Sequence, residues 1–90
     1  MNRQLVHIQM AEGAIDKIRQ IQGLPEQEMA FILRWKEEGI LEHFFIATSK
    51  QGAVLLFKER SEQQIKSLIE QLPYYPYMKE VTYQSLELQF

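Results

Sequence analysis

The chain contains no cysteine, which excludes disulfide cross-links and thiolate chemistry, catalytic or metal-binding. Its two histidines, His7 and His43, lie far apart and have no carboxylate pair at ligand spacing, so no metal site is expected. No apolar run approaches the roughly 18 residues that a membrane span needs. No charge of one sign prevails: 10 Lys and Arg oppose 12 Asp and Glu, for a net charge of −2. The signs are interspersed, so a nucleic-acid surface is not expected. Glycine is scarce, with 4 residues, and none forms a Gly-rich phosphate loop. There is no internal repeat and no low-complexity tract. Residues 1–4 lead into an alternating segment rather than a signal peptide, and a cytoplasmic protein is the expectation.

What is present is a 46% hydrophobic composition, enough for a packed core. Ninety residues make one domain, 1–90. A domain this small buries a modest share of its surface and is often helped by oligomerisation.

Leu5 to Met10 alternates, with Leu5, His7 and Gln9 on one face and Val6, Ile8 and Met10 on the other, which predicts a first strand. Ile15, Ile18 and Ile21 recur at helical spacing and predict a short amphipathic helix or a helical turn. Gly23-Leu24-Pro25 interrupts it. Pro25 suits the first turn of a second helix, where Glu26 and Glu28 favour the positive end. Met29, Ile32 and Leu33 give that helix one stripe, Phe31 and Trp35 another, and Gly39 ends it.

Ile40 to Ser49 is apolar on both alternating sides: Ile40, Phe44 and Ile46 on one, Leu41, Phe45 and Ala47 on the other. Lys50-Gln51-Gly52 is a turn, and Ala53 to Lys58 is the return strand. Ser61-Glu62-Gln63-Gln64 fits a capping box, followed by a helix with Ile65, Leu68, Ile69 and Leu72 on one face. In the last strand Val81 and Tyr83 hold one register while Leu86, Leu88 and Phe90 hold the other. That switch near Ser85 predicts a bulge or a tail that leaves its sheet.

Between the last helix and strand lies Gln71-Leu72-Pro73-Tyr74-Tyr75-Pro76-Tyr77-Met78. Two prolines predict an extended, stiff connector. Its tyrosines are either packing residues or the wall of a pocket or subunit contact.

The order strand, helix, strand, strand, helix, strand is that of the ferredoxin-like class, α+β with a four-stranded antiparallel sheet. Two helices cover only one face of such a sheet. The hairpin is apolar on both sides, so the second face is expected to be buried by another copy, in a homodimer or higher oligomer.

From Arg34 to Val81 the chain resembles muconolactone isomerases. The likeness rests on Glu38-Gly39, His43, Phe57, Ser61, Gln71-Leu72-Pro73 and Pro76-Tyr77-Met78, and His7 falls where that family has a histidine. The resemblance implies a ferredoxin-like fold paired into a dimeric α/β barrel. It implies a proton shift on a small unsaturated lactone or oxo-acid, in a pocket, with no cofactor. A carboxylate can serve as base and then acid when burial raises its pKa towards neutrality. Glu28 falls at or beside a family carboxylate and is the candidate for that role. Its ordinary use would be a charge at a helix N-terminus. His7 and His43 are further candidate catalytic residues, although a lone strand histidine is more often a satisfied core or interface residue. Tyr75, Tyr77 and Trp35 are candidate substrate-binding residues, with Trp35 also readable as core.

The chain departs from that family in carrying Glu42 and Ile46 where the isomerases carry arginine, and in lacking a lysine near Pro25. A substrate carboxylate needs cationic or backbone donors. Lys17, Arg19 or Arg34 could supply them. Two alternatives therefore stand beside an isomerase: a non-catalytic oligomeric small-molecule binder on the same scaffold, and a haem-degrading or monooxygenase-like relative with its ligand near His7 or His43.

Overall fold

Alternation is what makes the first strand. Val6, Ile8 and Met10 project to one side of β1 (Asn2–Met10) and are buried, whereas His7 and Gln9 project to the other and are exposed. The computed structural model describes residues 2–90. In it β1 pairs on both sides, with β3 (Gly52–Lys58) and with β4 (Met78–Glu87), while β2 (Leu41–Ile46) pairs with β3. The resulting order β2-β3-β1-β4, antiparallel throughout, is the ferredoxin-like sheet expected from the sequence.

The helices α1 (Ala14–Arg19), α2 (Leu24–Glu37) and α3 (Glu62–Ile69) cover one face. They bury Ala14 and Ile18, Ile32 and Trp35, and Ile65 and Ile69 against that side of the strands. Pro25 sits in the first turn of α2, where its missing N–H leaves no bond unmade. At the other end Gly39 takes φ 77°, and its N–H and that of Ile40 donate back to the carbonyls of Lys36 and Trp35. This left-handed residue stops the helix and satisfies its last carbonyls. The predicted capping box at α3 is formed, with Ser61 and Gln64 each accepting from the other's backbone N–H. Trp35 is 3% exposed and stands edge-on to Phe31 and Phe57, with ring centroids 6.2 and 5.6 Å away.

Three local expectations are corrected. The register of β2 shifts between Leu41 and His43, so Leu41 turns inward beside Phe44 instead of opposing it. The Pro/Tyr connector is not extended: Tyr74 is helical at φ −81°, ψ −7°, and Tyr75–Tyr77 form a 3₁₀ turn. Proline's fixed φ serves that turn as well as an extended chain. There is no bulge at Ser85, because β4 pairs regularly with β1 from Glu87 to Glu80 and its one shift faces Gln9 and Met10. Leu86 simply belongs to the face of the sheet away from the helices, and 88–90 extend past the strand.

That second face carries Leu5, His7, His43, Phe45, Val54 and Leu56 with no element of the chain over it. Phe45 is 59% exposed there.

Candidate functional site

Helical spacing places Pro25, Glu28, Met29 and Ile32 along one stripe of α2. The stripe roofs a cavity of about 160 Å³ between α2 and the sheet. Ile8 and Met10 contribute from β1, Phe44 and Ile46 from β2, Gly52 and Ala53 from β3. Tyr74 reaches in from the connector. A side chain at Gly52 would force the strands apart: a Cβ would stand 2.5 Å from the Ile8 carbonyl oxygen.

Glu28 is the acidic residue of this lining and Lys50 the basic one. The Tyr74 backbone N–H donates to Glu28 Oε1 at 2.9 Å. Tyr74 itself is fixed by two turn bonds, from Tyr75 N–H to Leu72 O and from Tyr77 N–H to Tyr74 O, both 2.9 Å. Burial among apolar side chains pushes the Glu28 carboxyl up, the Tyr74 amide pulls it part of the way back, and the balance is about 7. Burial, then the nearby Glu28 charge, raises the Tyr74 phenol, which therefore stays protonated at neutral pH. A carboxyl poised near neutrality in an apolar cavity is able to accept a proton and to return it.

The other candidates lie elsewhere. His7 and His43 are exposed on the uncovered face of the sheet, opposite the side that holds Glu28. They share that face with each other but not with Glu28, and the His43 ring lies 6.0 Å from that of Phe45. Trp35 is wholly core. Tyr75 is 38% exposed and faces an outer groove beside Lys66 and Lys79. Tyr77 packs against the core, and its carbonyl accepts the Ala11 N–H at 2.9 Å.

Two polar side chains at the cavity, Tyr74 and Lys50, were not among the candidate site residues. The tyrosines of an extended connector cannot be told apart by sequence, whereas the turn brings Tyr74 to the cavity and leaves Tyr75 outside it. Lys50 read as a turn residue only. The expected compensating cations do not line the cavity; Arg34 stacks over the Phe31 ring at 5.0 Å instead. Glu42 does not line it either. Arg3 Nε and Nη2 donate to the two oxygens of Glu42 at 2.9 and 3.2 Å, and this holds the Glu42 carboxyl below its ordinary range. No cluster of three metal-ligating side chains occurs among the described residues, and no helix among them is long and apolar enough to cross a membrane.

The four-stranded antiparallel sheet with its helices on one face defines a ferredoxin-like α+β protein. Residues 4–87 match the family model described as muconolactone delta-isomerase, and the chain belongs to that family. No curated protein matches it significantly. Among solved structures it is similar to 5-chloro-2-hydroxyhydroquinone dehydrochlorinase from Burkholderia phenoliruptrix in complex with 2,5-dihydroxybenzoquinone. The TM-score is 0.70 at 11% identity, covering 97% of this chain and 94% of that one. It is similar to muconolactone isomerase at TM-score 0.64 and 20% identity, covering 91% and 86%. A protein from Agrobacterium tumefaciens gives 0.58 at 11% identity, covering 100% and 96%. At such identities these structures establish the fold alone.

Proposed function

We propose that this protein is a proton-shift isomerase of small unsaturated lactones or oxo-acids, with Glu28 as its acid–base group. The observation that carries the reading is the Glu28 carboxyl, held near pKa 7 in an apolar cavity by burial. Loss of the γ proton of an unsaturated lactone to the carboxylate leaves a dienolate. Return of the same proton to the α carbon moves the double bond. Atoms and electrons balance, and the step calls for no oxidant and no cofactor. One group suffices because its pKa matches the working pH in both directions. The family match and the fold shared with muconolactone isomerase support the reading. The dehydrochlorinase shares the fold too, so the chemistry rests on the cavity and not on the scaffold. Self-association through the uncovered face of the sheet is part of the proposal, supported by the exposure of Phe45.

The test is proton NMR of muconolactone mixed with the protein. The wild type is expected to give the isomerised enol-lactone, and Glu28→Gln to slow it by about 10²–10⁴-fold while remaining folded. Absence of turnover by folded wild-type protein would overturn the reading.

One observation favours a second reading, a binder without turnover. Ile46, where the isomerases carry arginine, lines the cavity itself. A thermal shift on adding muconolactone, with no consumption of it, would identify that case.

A further inference from the structure

We infer that Lys50 is the specificity residue of the Glu28 cavity, the cation through which the cavity prefers an anionic ligand to its neutral counterpart. The inference rests on the proposed acid–base role of Glu28 and names a further residue of the same site.

Two independent observations meet at this residue. The first is position. Lys50 lies in the β2–β3 turn and lines the cavity that Glu28 lines from α2. Around these two, the lining is predominantly hydrophobic, so a bound carboxylate has one cation to meet. The ion pair matters to the reaction as well as to affinity. An anionic ligand brought beside an ionised Glu28 repels it, and a cation at the anionic end of the ligand offsets that repulsion.

The second observation is conformation. Lys50 takes φ 66°, in the left-handed region, where its N–H closes the turn on the Ala47 carbonyl at 2.8 Å. Glycine or asparagine is the ordinary choice at such a position, because a Cβ is strained there. Nothing in the turn itself calls for a long cationic side chain: Lys50 is exposed and its backbone alone makes the turn bond. A lysine held in the left-handed region at the edge of the cavity is where a functional use of the side chain is to be sought.

The experiment compares muconolactone with its methyl ester, which keeps the ring and removes the charge. Binding of each is measured by calorimetry on Glu28→Gln protein, where no turnover intervenes, with Lys50 intact or replaced. With Lys50 the acid is expected to bind about ten-fold tighter than the ester, the scale of one charge-assisted hydrogen bond. Lys50→Met and Lys50→Gly erase that preference, and Lys50→Arg keeps it. Lys50→Gly also melts higher than its parent, because the left-handed strain is relieved. Lost preference in a more stable protein rules out a folding defect.

A preference for the acid that survives in Lys50→Met overturns the inference, and so does failure of the parent to bind the acid. The two readings fail separately. A wild type that does not isomerise the lactone, yet shows a Lys50-dependent preference, sinks the acid–base role alone. Glu28-dependent turnover with a preference indifferent to Lys50 sinks this inference alone.

Discussion

At Glu28 the requirements of folding and of chemistry oppose each other. Its folded pKa lies near 7, above the 4.5 of an unperturbed glutamate, so the folded protein holds its proton more tightly than the unfolded chain. Stability from this group is therefore full below pH 4.5 and declines as pH rises through 7. The carboxyl is partly open to solvent, which limits the effect to the order of 1 kcal/mol. Glu28→Gln should then melt about 4–8 °C higher than wild type at pH 8 and match it near pH 4, by scanning calorimetry. The same titration sets catalysis, with kcat/KM expected to rise with pH through about 7 as the base ionises. The identity of this carboxyl was legible in the sequence through resemblance, but its surroundings were not. Two turns of helix were needed to show that Glu28 shares a stripe with Pro25, Met29 and Ile32 and not with the solvated charges. A first-turn acid reads as a dipole charge until the face it lies on is known.

At the scale of elements, strand and helix order was readable because the periods of two and 3.6 residues are set by backbone geometry. What the periods could not carry were the departures from them. The shift in β2 changes the face of Leu41 without changing a residue type. The connector's prolines allow both a 3₁₀ turn and an extended chain, since both use a φ near that of proline. The contact of Gly52 with the Ile8 carbonyl was equally invisible, being a distance between strands. It gives the sharpest element-level prediction. Gly52→Ala must part β1 from β3 at the Gln9–Gly52 pair, because the obstacle is backbone and cannot rotate away. The expected loss is about 1–3 kcal/mol in urea unfolding. An unchanged midpoint would show that the hairpin end yields freely.

At the scale of the molecule, the helices cover one face of the sheet and leave the other open, with Leu5, Phe45, Val54 and Leu56 among its side chains. That imbalance was legible from the two-sided hairpin and from the count of helices. The stoichiometry of whatever covers the face was not, since a single chain encodes its own register and not its partner's. Phe45, 59% exposed on β2, is the residue to test. If two copies meet there, light scattering of the wild type gives at least twice the monomer mass, and Phe45→Glu lowers it. A monomeric wild type would remove self-association from the proposal.

The donor that fixes Glu28 is the main-chain amide of Tyr74 and not a side chain. Substitution at position 74 can alter the ring that enters the cavity, yet every residue except proline brings the same N–H. The side chain at position 74 can therefore change, and the cavity wall with it, while the hydrogen bond to the acid is inherited unchanged as long as the turn is kept. The anchor of the acid is thus independent of the side chain at position 74, whereas its acidity is not, because the ring there is part of the wall that buries it.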